Sequence, residues 1–213
     1  MIVGSLAEGS PNMVAWTKTA RLLHWGTAFA VLVEVPAGLI MTWTYRFSTT
    51  GGEGAQVHLR SSQVHHTLGL LLLAAVFFRI FWRLRHPVPE LPQDAGPLSR
   101  IGARTVQGLL YGLLLVLPLS GWASLSAMAA GAGYPAPSLW FFTQDGFAPG
   151  GWIPHIVTPK PWNAPGLLTY GTFARLHVWG AWAGGGLLAL HLAGALYHHF
   201  VRRDGVLARL VSG

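Results

Sequence analysis

The sequence predicts an all-α integral membrane protein, a four-helix bundle, on three observations. More than half of the 213 residues are apolar and only a tenth are charged, where a soluble domain carries roughly a quarter. Four apolar runs are each long enough to cross a hydrocarbon core of about 30 Å, which takes about 20 helical residues: Leu22 to Trp43, Val64 to Trp82, Thr105 to Ser126 and Leu176 to Phe200. The charges collect at the ends of these runs. With flanking turns, helices are expected at about 14–43, 64–85, 103–126 and 174–202, with a long loop at 127–172, all in a single domain over 1–213.

With four spans, both termini share one side with the loop between the second and third spans. That side owns Lys18, Arg21, Arg79, Arg83, Arg85, Arg100, Arg104, Arg202, Arg203 and Arg209, and the other only Arg46, Arg60, Lys160 and Arg175. The excess places both termini in the cytoplasm. The net charge of +7 therefore reflects topology and lipid contact, and nucleic acid is not an expected partner. The run behind Arg21 is too long for a signal-peptide core and no A-x-A-like site follows it, so the first span reads as an uncleaved anchor.

Glu34 and Pro36 interrupt the first span. A carboxylate at that depth costs several kcal/mol; Glu34 reads as a proton relay or partner of a cation, or, the favoured reading, as a protonated side chain bonded to a neighbouring helix. The connector from Arg83 to Arg104 carries Pro87, Pro89, Pro92 and Pro97 and should be extended. Pro118 should kink the third helix. The outer loop holds half of the 14 prolines together with Tyr134, Trp140, Phe141, Phe142, Phe147, Trp152, Trp162 and Tyr170. Such an aromatic load favours a flap lying among lipid headgroups over a solvated disordered loop.

Cysteine is absent. That excludes thiolate-held iron–sulfur clusters, a cysteine zinc site and covalent haem attachment, so a cofactor would be held by His, Met or carboxylate. Of ten histidines, four occupy positions that suit two b-type haems: His24 opening the first span, His65 opening the second, and His177 and His191 in the fourth. Fourteen residues separate the last two, roughly 21 Å of rise and close to four turns, so both rings leave one helix face. Helix direction pairs His24 with His191 in the cytoplasmic half and His65 with His177 in the outer half. Two imidazoles per iron leave no open coordination position, which favours electron transfer over oxygen binding. Because His191 lies roughly 13 Å from the inner end of its span, the first helix should start near Trp16, with Lys18 and Arg21 snorkelling back.

Each of these histidines taken singly is as well explained as a satisfied core residue, and His66 competes with His65. A di-metal carboxylate bundle would need several glutamates, and only Glu34 is in a span. Gly69, Gly121, Gly180 and Gly184 would let a haem edge approach a helix, or serve ordinary close packing.

The strings Arg21-Leu22-Leu23-His24-Trp25, His65-His66-Thr67-Leu68-Gly69 with Arg79 downstream, Leu117-Pro118-Leu119-Ser120-Gly121-Trp122, and His191 through Tyr197-His198-His199-Phe200-Val201-Arg202-Arg203-Asp204-Gly205 resemble the bacterial cytochrome b561 family. The resemblance runs from about residue 14 to 210 and implies a bis-His, non-covalent di-haem b protein of the inner membrane that exchanges electrons with quinone. The family's ligand positions fall on His24, His65, His177 and His191. At least one member looks like a superoxide oxidase that passes the electron to ubiquinone. The long aromatic outer loop departs from the usual pattern.

The resemblance makes superoxide:quinone oxidoreductase activity the leading expectation, with Arg46, Arg60, Lys160 and Arg175 focusing a small anion or simply meeting lipid phosphates. The alternative is a haem b subunit relaying electrons between quinone and a periplasmic dehydrogenase or another membrane complex, with the aromatic loop as its docking surface. A transporter or structural subunit without cofactor would leave the intramembrane histidines without partners. At the inner end, Arg21 and Arg79 suit haem propionates because a guanidinium meets a carboxylate bidentately. His198 lies seven residues from His191, close to two turns, in an inner cluster that has Trp25 next to a haem ligand, and is the residue expected to deliver protons to quinone. His199 is rotated away.

Overall fold

The computed structural model describes residues 16–87, 89, 96–128, 139–140, 146–147, 151–160 and 164–211. Among them there is no strand. The long helices are α1 (Lys18–Thr44), α2 (Gly52–Arg85), α3 (Pro97–Met128) and α4 (Tyr170–Leu196). A 3-10 turn, Tyr45–Phe47, prolongs α1; a π-helical turn, Tyr197–Arg202, prolongs α4 and leads into the short α5 (Val206–Val211).

By length and composition, Lys18–Phe47, α2 and α3 can each cross a membrane. α4 matches α1 at 27 residues, but glycine, tryptophan and histidine take places that leucine and valine fill elsewhere. The surface is inside-out by the standard of a soluble bundle. Leu22, Phe29, Leu32, Trp43, Leu84, Ile101, Trp179 and Leu190 are all exposed, while Phe147, Val76 and Ser126 are the largest fully buried side chains. Apolar surface of this extent needs an apolar surround.

Hydroxyls inside the helices are satisfied locally, as a medium without water requires. Thr27 donates to the Leu23 carbonyl at 2.6 Å, Thr67 to Gln63 at 2.7 Å, Ser124 to Ser120 at 2.9 Å and Ser126 to Trp122 at 2.8 Å. α1 packs along α2 and α3 along α4, and α2 meets α3 over a shorter contact. Between α1 and α4 the backbones hardly approach. That gap is bridged by side chains.

Helix bounds differ from the sequence expectation where apolarity and helicity part company. α2 starts at Gly52, a dozen residues before 64. Gly51 and Gly52 take positive φ and supply the sharp turn glycine permits, and Glu53 sits in the first helical turn, where the helix dipole favours an anion. His65 is thus well inside its helix. Pro97 opens α3, a position where proline's missing N–H costs nothing. Helix therefore takes both ends of the connector expected to be extended between Arg83 and Arg104; Pro92 lies outside the described residues. α1 opens at Lys18 behind the cap residue Thr17, and residues 14 and 15 also lie outside the described set.

The described parts of the segment between α3 and α4 are folded onto the helix ends. Leu139, Phe147 and Ile153 are buried together against Leu70, Trp122 and Leu125. Trp140 N donates to Thr67 Oγ1 at 2.8 Å, Trp122 Nε1 to the Pro154 carbonyl at 2.9 Å and Ile156 N to Ser126 Oγ at 3.2 Å. Trp140 and Trp152 remain exposed, whereas Phe147 belongs to the interior. Tyr134, Phe141, Phe142 and Trp162 lie outside the described residues.

Thr17 joins two helices at once: its Oγ1 accepts from Ala20 N at 3.2 Å, capping α1, and from Trp82 Nε1 of α2 at 3.0 Å. Thr17→Ala removes both bonds and should destabilise the protein by about 1–2 kcal/mol, read as a lower midpoint in thermal unfolding of the detergent-solubilised protein.

Candidate functional site

Two imidazole pairs bridge the bundle. His65 of α2 and His177 of α4 have ring centres 5.8 Å apart with planes nearly perpendicular at 86°. His24 of α1 and His191 of α4 have ring centres 6.3 Å apart at 51°. Both pairs use α4, and the 14-residue separation along it sets the two levels roughly 21 Å apart.

The helices prepare each ring of the first pair. His65 Nδ1 lies 3.1 Å from Glu34 Oε1 and 3.3 Å from the Glu34 carbonyl. His177 Nδ1 lies 2.9 Å from the Leu117 carbonyl and 3.2 Å from Ser120 Oγ. With Nδ1–H donated to these acceptors, Nε2 of each ring is left as the lone-pair nitrogen. Glycines make the room. A Cβ added at Gly38 of α1 would stand 2.8 Å from His65 Cε1, and one at Gly121 of α3 would stand 3.3 Å from His177 Cε1. Gly69 faces Glu34, where an added Cβ would lie 3.3 Å from Oε1. Gly180 and Gly184, by contrast, face the Leu117 and Leu113 side chains of α3, the ordinary close-packing role.

At the second pair, His24 meets Trp25 edge-on at 5.3 Å. Arg79 donates to the carbonyl of Leu23, the residue before His24, at 3.0 Å and to Tyr111 Oη at 3.4 Å. The chain end returns to this level: Arg21 donates to the Val211 carbonyl and Trp25 Nε1 to the Leu210 carbonyl, both at 3.3 Å. Arg21 Nε is buried without a hydrogen-bond partner.

A metal held by two imidazoles, each nitrogen about 2 Å away, places the ring centres about 6 Å apart. Both separations meet this requirement. Residues 15–213 match the family described as prokaryotic cytochrome b561. The chain belongs to that family. It is similar to cytochrome b561 homolog 2 of Escherichia coli K12, 27% identical over 190 residues covering 89% of this chain and 87% of the relative. Cytochrome b561 homolog 1 of the same organism is 25% identical over 199 residues, 93% and 98% of the two chains. As a cytochrome b561 family protein the chain is a membrane haem b electron-transfer protein.

The residues fit that cofactor. Paired neutral imidazoles are the right donors for haem iron, α1 and α4 leave a slot between them, glycines relieve the rings of contact, and the unpartnered Arg21 Nε is a donor suited to a carboxylate. His66 turns elsewhere, 6.2 Å from His65 and edge-on to Phe147 of the segment between α3 and α4 at 6.3 Å.

His198 is the second residue of the π-helical turn that follows α4. Its ring packs edge-on to Tyr197 at 6.0 Å and its Nδ1 donates to Asp204 Oδ2 at 2.5 Å. Arg203, in the left-handed conformation at φ 53°, and Gly205 turn the chain so that Asp204 comes back to the ring. Burial pushes the Asp204 carboxyl up, but the hydrogen bonds from His198 and from Val206 N–H, with the charges of His198 and Arg202, outweigh it and hold the group below the usual carboxylate range.

Sequence reasoning passed over Gly38 and the contact of Glu34 with His65. A signal existed: the two are four residues apart and share one face of α1. Gly38→Ala favours helix by roughly 1 kcal/mol, yet it should displace the His65 ring and lower the haem content of purified protein in a pyridine haemochrome assay. Gly26→Ala, where an added Cβ meets nothing within 4 Å, should leave haem content unchanged.

Proposed function

We propose that this chain moves electrons across the bacterial inner membrane from a periplasmic donor, superoxide, to the ubiquinone pool. In this reading α4 is a fourth span, both termini are cytoplasmic, and the whole chain is one domain. His65 and His177 hold a haem b in the outer half, and His24 and His191 hold a second in the inner half. The observation that carries the reading is the pair of interhelical imidazole contacts at two levels of one helix. Haem b, when bound, supplies the one-electron chemistry.

The chain's own residues do the rest. Imidazoles on both sides leave no position for oxygen. Arg46, Arg60, Lys160 and Arg175 give the outer end a positive field that concentrates a small anion. Arg21 and Arg79 are the propionate partners at the inner end, and Gly69 and Gly121 keep the outer site open to the ring system. Near the cytoplasmic face, Asp204 is ionised through neutral pH and fixes the Nδ1 proton of His198. That leaves Nε2 to take up and deliver protons to quinone, whose reduction consumes them, beside Trp25.

The folded outer loop supports a second reading. With Trp140 and Trp152 exposed over a buried Phe147, the segment also suits a docking surface for a periplasmic dehydrogenase or another membrane redox complex, for which this chain would be the haem b subunit. Stopped-flow haem reduction on adding superoxide, with and without quinone, separates the two. Rapid reduction without a partner protein supports the oxidase, and inertness until a co-purifying partner is added supports the subunit.

Ligand substitutions test the assignment. Acid-acetone should extract two haems per chain, because the ligands number four and no cysteine exists to hold them covalently. His24→Ala and His191→Ala should each remove the same spectral component, and His65→Ala and His177→Ala the other, while His66→Ala keeps both. Loss of one component from both His24→Ala and His65→Ala would overturn the pairing.

His198→Ala should slow quinone reduction and leave both haem spectra, and their reduction by the outer donor, intact. Unchanged quinone turnover, or loss of a haem, would remove His198 from this role.

A further inference from the structure

We infer that Glu34 is a positioning residue for the outer centre: its carboxylate, acting through Nδ1 of His65, fixes that ring and increases the electron donation of Nε2 to the iron held there. This rests on the proposed assignment of His65 and His177 as haem ligands.

The observations are local and asymmetric. One residue of α1 offers His65 Nδ1 two acceptors, the carboxylate Oε1 at 3.1 Å and its own carbonyl at 3.3 Å. The opposite ring, His177, is held by uncharged acceptors, the Leu117 carbonyl and the Ser120 hydroxyl. Glu34 Oε2 is buried with no hydrogen-bond partner, so no second bond draws the carboxylate away from the imidazole. Gly69, one turn beyond His65, leaves the space in which the carboxylate lies.

Where the sequence alone favours a protonated Glu34, the side chain is here the ionised partner of a metal-ligating imidazole, a contact that can offset the penalty a carboxylate carries in a membrane span. Hydrogen-bond acceptance by a carboxylate fixes the tautomer of such a ring and raises the basicity of its other nitrogen. Greater donation stabilises the more highly charged, oxidised iron. Glu34 therefore lowers the reduction midpoint of the outer haem and leaves the inner one unaffected.

The test is a spectroelectrochemical titration of the purified holoprotein, resolved into its two haem components, for Glu34→Gln, Glu34→Asp and Glu34→Leu, with His65→Ala as reference. Glutamine preserves size and one acceptor oxygen but not charge. It should retain both haems and raise the midpoint of the outer component alone, with aspartate staying closer to the parent. Leucine, which removes the side-chain acceptor, should weaken retention of the outer haem by roughly ten- to a hundred-fold. An unchanged outer midpoint in Glu34→Gln, or equal shifts of both components, would overturn the inference. If His65→Ala itself left the outer component in place, the ligand assignment would fall. If His65→Ala removed it while Glu34→Gln shifted nothing, only the role of Glu34 would fall.

Discussion

Every imidazole placed between helices in a bilayer brings two nitrogens that water cannot reach. The rest of this structure follows from how those nitrogens are satisfied. In the His65–His177 pair, Nδ1 of each ring is met by its own packing partner, Glu34 of α1 or Leu117 and Ser120 of α3. The unmet nitrogens then belong to the interhelical slot, and on the proposed ligand assignment an iron between them would complete an otherwise costly arrangement. The glycines at 38 and 121, the sparse backbone contact between α1 and α4, and the hydroxyls bonded back to their own helices all serve the same end. They keep space and polarity confined to where the rings stand.

The helices were legible in the sequence to the extent that lipid contact was. Apolar runs located the cores of the long helices because a bilayer rewards uninterrupted apolarity. They could not locate the first part of α2, whose residues Glu53 to Ser62 are polar and yet helical, because a helix leaving the membrane needs only local hydrogen bonds. In that stretch His58 hydrogen-bonds to the Met41 carbonyl at 3.0 Å and stacks edge-on with Tyr45 at 5.7 Å, so the extension is tied to the end of α1. α3 shows the same effect at Pro97, where a residue read as a breaker is a helix start.

The spatial pairing of His24 with His191 and of His65 with His177 was legible because helix periodicity and chain direction fix it with no knowledge of side-chain contacts. What surrounds the rings was not. Glu34 was visible as an intramembrane acid and its bonding to a neighbouring helix was anticipated, but its partner depends on the rotation of α1 against α2. Gly69 and Gly121 were singled out for their size, and the structure sets them against Glu34 and His177. For His198 the hydrogen bond to Asp204 was not legible, because it depends on the turn at Arg203 and Gly205 that brings the carboxylate back to the ring.

Both pairs draw one member from α4, which follows α1, α2 and α3 in the chain. On the ligand assignment proposed above, a nascent chain that has inserted α1, α2 and α3 carries two half-sites, each with one imidazole and an empty slot. On that assignment neither position closes until α4 packs against the others, and its arrival completes both. By the same assignment, loss of α4 would empty both centres together.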